Sequence, residues 1–168
     1  MTPGEPFLEE DFRVLTPEAF DFVLNNELKR AVRSQNYLTL LLLEPMAPAA
    51  PAAKGAAPSQ TATPPPETVR QVARLVSREV RETDLLAQTG SGRVSVVLLD
   101  ADLQNSMRVV DRLMARFEHY EFPTPLEIEV GAACCPTHGV DVESLRQTAE
   151  QRAARPRREN RGNASNAQ

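Results

Sequence analysis

The sequence predicts an α+β domain in which helices pack on a largely antiparallel sheet. Three observations carry that expectation. Runs with helical spacing and short strand-like runs alternate as helix, strand, loop, helix, strand, turn, strand, helix, strand, helix. Two of the strand runs are joined only by Gly90-Ser91-Gly92, a link short enough for a β-hairpin. Hydrophobic residues make up 41% of the 168 and charged residues 25%, which is enough to fill one core and solvate its surface.

Residues 1–11 read as a flexible lead-in, and the domain is expected over 12–155. Thr16-Pro17-Glu18 starts the first helix, with Thr as N-cap and Pro at the first helical position. Phe20, Leu24, Leu28 and Ala31 follow at helical spacing, and the helix should stop near Ser34-Gln35-Asn36. Residues 37–44 form a nearly continuous apolar run, the pattern of a strand buried on both faces. From Pro45 to Pro66 the chain is low in complexity and holds seven of its 14 prolines. Too few large apolar groups are present there to offset the entropy of ordering, so 45–66 is expected to be a disordered insertion.

A second helix is expected over 68–81, with Val69, Val72, Ala73, Val76 and Val80 on one stripe. Strands at 84–89 and 93–99 flank the Gly-Ser-Gly turn. Asp102 caps a third helix that carries Leu103, Met107, Val110, Met114 and Phe117 on one face. Pro123 and Pro125 precede an alternating strand over 126–133. Asp141 opens a last helix through Leu145 and Ala149, and 156–168 should be a flexible, Arg-containing tail.

Charge and composition exclude several functions. A net charge of −4 makes phosphate-backbone binding to nucleic acid a poor fit. No apolar run approaches the roughly 18–20 residues that span a bilayer, and the N-terminus has no signal-peptide h-region. The expectation is a cytoplasmic protein without membrane insertion. The two cysteines, Cys134 and Cys135, are adjacent; on a strand they point to opposite faces, and with no further Cys neither a disulfide framework nor a cysteine zinc site can form. His119 and His138 lack partners at metal-ligand spacing and read as surface or turn residues.

Four stretches together are similar to one known family. The strand run ends in Glu44; Arg81-Glu82-Thr83-Asp84 precedes the hairpin; Gly90-Ser91-Gly92-Arg93-Val94 forms its turn and leads into an apolar strand. Val130-Gly131-Ala132-Ala133, Pro136-Thr137-His138-Gly139 and Arg161-Gly162-Asn163 close the series. From about Phe12 to Asn163 the chain resembles a GGDEF domain, the diguanylate cyclase family, in degenerate form. The resemblance implies a palm-like, ferredoxin-like sheet akin to nucleotide cyclases. It also implies dimerisation and, in active members, metal-assisted condensation of two GTP into cyclic di-GMP.

Against the family pattern, Gly92 and Arg93 stand at the two acidic positions of the signature turn. The Pro/Ala block replaces the substrate-binding helix that follows the first strand. The resemblance therefore implies a domain without cyclase activity, catalytic residues, metal or cofactor. What it retains is Arg81-x-x-Asp84, the family's inhibitory-site motif, with Arg112 near the position of a further arginine. An arginine can pair with guanine O6 and N7, and a carboxylate can accept from guanine N1 and N2. Arg81, Asp84 and Arg112 are thus the candidate ligand site for cyclic di-GMP. A structural Arg81–Asp84 pair at a helix end is the alternative, in which the domain binds only a protein partner. Either way the expected role is a regulatory or scaffolding module in bacterial signalling.

Overall fold

The computed structural model describes residues 14–47, 64–90 and 92–152. The expected insertion core, Ser91, the N-terminal lead-in and the Arg-containing tail lie outside the described residues.

The elements follow the expected order: α1 (Pro17–Ser34), β1 (Leu38–Met46), α2 (Pro66–Glu79), β2 (Leu85–Thr89), β3 (Arg93–Leu99), α3 (Leu103–His119), β4 (Glu127–Cys135) and α4 (Val142–Gln151). The four strands form one sheet in the order β2-β3-β1-β4, and every neighbouring pair is antiparallel. β1 lies inside the sheet, with Leu41 opposite Val96 on one side and Ala132 on the other.

The leucine run of β1 is explained by the two layers of helices around it. Leu41 and Leu43 belong to a core with Val72 and Val76 of α2 and Leu113 and Phe117 of α3. Leu40 and Leu42 point the other way, toward Phe20, Leu24 and Leu28 of α1 and Leu145 of α4. Successive strand side chains alternate between faces, so a strand covered on both sides needs apolar residues at every position.

Three boundaries differ from the sequence-based expectation. β1 continues through Pro45 and Met46, the first two residues of the expected insertion. Its pairing with β3 stops at Leu43, whereas pairing with β4 continues through Pro45, opposite Ile128. Beyond Leu43 one side of β1 is therefore an edge, where a residue without an N–H is tolerated. α2 begins at Pro66, a favoured residue at a helix start, and ends at Glu79 because Val80 is extended. β4 runs on to Cys135, which leaves Cys134 and Cys135 both buried.

Thr16, Asp102 and Asp141 cap α1, α3 and α4 as their sequence positions predict. Thr16 Oγ1 accepts from the Ala19 amide at 3.3 Å, and Asp102 Oδ1 accepts from that of Asn105 at 2.8 Å. Asp141 Oδ1 accepts from the Ser144 amide and Oδ2 from its hydroxyl, both at 2.8 Å. These bonds satisfy amide groups that the first helical turn leaves without intrahelical partners.

Candidate functional site

The signature turn and the Arg81-x-x-Asp84 motif occupy opposite ends of the sheet. Thr89 and Arg93 pair at the hairpin end, whereas Leu85 pairs with Val97 and Leu38 with Leu99 toward the other. About 3.3 Å per strand residue puts the two ends roughly 15–20 Å apart.

At the hairpin end, Gly90 and Gly92 have φ of 63° and 107°, a region that side-chain-bearing residues rarely adopt. Nothing lies within 4 Å of a Cβ added at Gly90, so its backbone conformation, rather than crowding, favours glycine there. Val94 is fully buried and anchors the start of β3. Arg93 turns toward the end of β1. Its Nε donates to Glu44 Oε1 at 2.8 Å, Nη2 donates to the same oxygen, and Nη1 donates to Glu150 Oε1 at 2.9 Å. Partial burial works against the charge on Arg93, but the bonds and charges of Glu44 and Glu150 outweigh it. They hold the guanidinium above its usual pKa. Arg93 thus ties β3 to β1 and to α4.

At the other end, Arg81-Glu82-Thr83-Asp84 is a closed turn. The Asp84 amide donates to the Arg81 carbonyl at 3.0 Å, and the Arg81 amide donates to Asp84 Oδ2 at 2.9 Å. Asp84 Oδ1 accepts from the Leu99 amide at 3.1 Å. Only 8% of Asp84 is exposed, so its carboxylate faces inward and clamps the turn to the end of β3.

Arg81, by contrast, is exposed and lines a surface cleft of about 270 Å³ with Glu27, Arg30, Asn36, Thr83 and Asp100. Arg30 Nη1 stands 3.9 Å from Glu27 Oε1. Arg112 is not among the residues lining this cleft. Its Nη2 reaches the Glu79 carbonyl at 3.4 Å, while Arg116 Nε donates to Glu79 Oε1 at 2.6 Å. These two α3 side chains hold the end of α2.

Sequence reasoning picked out Arg81, Asp84 and Arg112 but missed Arg30, Glu27 and Asp100. Asp100 carried no readable signal for its φ of 55°. Glu27 and Arg30 are three apart on α1, a spacing that predicts a shared helix face but not which cleft it borders. Glu150 was missed because α4 reaches the hairpin only in the folded chain.

The remaining candidates have structural partners. His138 Nδ1 accepts from the Cys134 amide at 2.9 Å, and its pKa is lowered by burial and then by the Arg152 charge. His119 Nδ1 lies 2.8 Å from the Ala115 carbonyl at the end of α3. Burial, with a smaller effect of Cys134, pushes the Cys135 thiol up. That is opposite to the shift that activates a cysteine. Among the described residues, no group of three or more His, Cys, Asp or Glu is arranged to hold a metal ion. No helix among them is long and apolar enough to cross a membrane.

The family model for the diguanylate cyclase GGDEF domain matches residues 67–163. Comparison with curated proteins finds no match. The GGDEF domain of FimX from Pseudomonas aeruginosa superposes with a TM-score of 0.67 at 12% identity, covering 88% of this chain and 91% of that one. The GGDEF domain of TpbB (or YfiN) from the same organism gives 0.65 at 15% identity, covering 85% and 84%. The DgcB GGDEF domain from Caulobacter crescentus, solved in complex with c-di-GMP, gives 0.64 at 10% identity, covering 90% of each chain. Identities this low establish the shared palm-like fold. Membership rests on the matched sequence, which covers more than half of the residues: the chain belongs to the GGDEF domain family of diguanylate cyclases.

Proposed function

We propose that this domain does not make cyclic di-GMP and acts as a regulatory or scaffolding module of cytoplasmic signalling. One observation carries the reading: the Arg93 guanidinium sits between Glu44 and Glu150 at the signature turn. GGDEF catalysis requires metal ions at acidic positions there, to activate the attacking hydroxyl and neutralise phosphate charge. A metal ion at Glu44 would meet a fixed positive charge already bonded to that carboxylate, so the residues present do not fit the ion. The segment after β1 that holds substrate in the family is replaced in this sequence by the Pro/Ala block.

If the module is a receptor, cyclic di-GMP would bind at the cleft lined by Arg81. Arg81 and Arg30 would meet guanine O6 and N7 or a phosphate, and Glu27 or Asp100 would accept from guanine N1 and N2. At about 270 Å³ the cleft is smaller than the roughly 300–1,000 Å³ of most ligand pockets, so it suits one base with the rest of the ligand outside. The geometry of Asp84 favours a second reading, a domain that binds only protein. With both oxygens accepting from backbone amides, Asp84 fits a structural role, and Arg112 stands away from the cleft.

Calorimetric titration with cyclic di-GMP separates the two readings. Saturable binding that is lost in Arg81→Ala and Arg30→Ala supports the receptor, and heat indistinguishable from buffer leaves the protein-only module. Incubation with GTP and Mg²⁺ should yield no cyclic di-GMP above a mock preparation. Product from the wild type that disappears on heat denaturation would overturn the non-catalytic reading.

A further inference from the structure

α1 buries Phe20, Leu24, Leu28 and Ala31 and turns its opposite side to solvent. On that side stand Glu18, Phe22, Lys29 and Arg33, all exposed. At 3.6 residues per turn the four fall within roughly 60° around the helix, so they form one stripe. Phe22 is 69% exposed, more than any other large apolar side chain among the described residues. The side chains of Glu18, Lys29 and Arg33 make no hydrogen bond or ion pair among the described residues, whereas Arg93, Arg116 and Arg146 are each engaged by a carboxylate of this chain. Compensation of the helix dipole accounts for an acid in the first turn and a base in the last. It does not account for a phenylalanine left in water between them.

We propose that this face of α1 is an interface between two copies of the chain, with the two helices antiparallel. The spacing carries the argument. Glu18, Phe22, Lys29 and Arg33 lie four, seven and four residues apart, a pattern that reads the same from either end. When a second α1 runs in the opposite direction, Glu18 of each copy stands level with Arg33 of the other, and Phe22 stands level with Lys29. The two carboxylate–guanidinium pairs then close the ends of the interface. Each phenyl ring lies along the methylene stem of a lysine, which covers apolar surface while its ammonium stays in water. Asn25 and Asn26, also exposed, come level at the centre, where polar side chains fix register. The positive end of each helix dipole also lies beside the negative end of the other.

The charges select this occupant. An acidic partner would suit Lys29 and Arg33 but meet Glu18, and a basic partner would do the reverse. A parallel copy would set like charge against like, which opposes association. α1 has 18 residues and is about 27 Å long, so the contact is small and the dimer weak. The inference stands apart from the Arg81 cleft and from the non-catalytic reading, and it requires no nucleotide.

The test is sedimentation equilibrium of the full chain, without nucleotide and under reducing conditions, at concentrations from about 10 µM to about 1 mM, the range of weak complexes. The wild type should show a monomer–dimer equilibrium. Glu18→Lys and Arg33→Glu should each weaken it by roughly fivefold or more, because each sets like charges together at both ends of the interface. The two changes shift net charge in opposite directions, so an effect of bulk charge would move them apart. A one-to-one mixture of the two variants regains opposite charges at both ends and should associate as the wild type does. Phe22→Ser, at a position that folding leaves exposed, should weaken association by about tenfold with an unchanged circular dichroism spectrum. A wild type that stays monomeric over the whole range would overturn the proposal. So would a mixture no tighter than either variant alone, or a Phe22→Ser chain that associates as the wild type does.

Discussion

Asp84 has two backbone amides to satisfy, and this decides how its substitution behaves. Removing a buried acceptor leaves its donors unpaired at about 1–3 kcal/mol each. Asp84→Ala should therefore lower stability by about 2–4 kcal/mol in urea denaturation. Asp84→Asn, which keeps one carbonyl acceptor, should lose less. Loss of cyclic di-GMP binding in Asp84→Ala would not separate a lost contact from a weakened fold, so Arg81→Ala is the cleaner probe of the cleft. His138 gives a pH dependence of known sign. Its folded pKa is lowered, so the unfolded chain takes up its proton first as pH falls. The stability it supports is complete above an unfolded pKa of about 6.5 and declines below it, toward the lowered folded value. Melting curves between about pH 7.5 and 5 should show this decline, and His138→Gln should flatten it. An unchanged slope in that variant would assign the decline to other groups.

At the scale of elements, Arg93 joins β3, β1 and α4 through side chains that are between 28% and 45% exposed. Solvent screens such pairs, which are worth about 0–1 kcal/mol each. Arg93→Ala should cost roughly 1 kcal/mol, and Arg93→Glu more, because it adds a third carboxylate beside Glu44 and Glu150. The extra loss in Arg93→Glu should shrink when the denaturation is repeated at high salt. The pairing also shows where sequence reading stopped. Periodicity and capping residues are enough to locate each helix and strand of the described residues, since those signals lie within a few residues of one another. The limits of β1 and α2 depended on Pro45 meeting an edge beyond Leu43 and on Val80 turning extended, neither of which is a local property. Likewise the turn motif was legible, but the Glu150 carboxylate that meets it comes from 57 positions further along.

For the whole molecule, β1 is common ground for both cores. Leu41 is fully buried, and Leu41→Ala should cost about 3–5 kcal/mol, a large part of the roughly 5–15 kcal/mol that stabilises a domain. Because Leu40 and Leu42 on the same strand hold α1 and α4, damage to one core should not leave the other intact. Far-ultraviolet and near-ultraviolet signals should then fall together in one transition. Separate midpoints would show that the two helical layers unfold independently. The palm-like architecture was legible at this scale because the eight elements keep their order. The Arg81 cleft was not, since it is built where the end of α1, the turn after α2 and the end of β3 meet.

The inward-facing Asp84 also bears on how related sequences are read. A domain of this fold has reason to keep that aspartate even when it never meets a nucleotide, because the turn and the end of β3 depend on it. Selection for a stable chain and selection for a receptor would leave the same letter at that position. A search that treats Arg-x-x-Asp as the mark of a cyclic di-GMP receptor would then mistake folding for affinity. The arginine of the pair, which no backbone bond requires, is the more informative half.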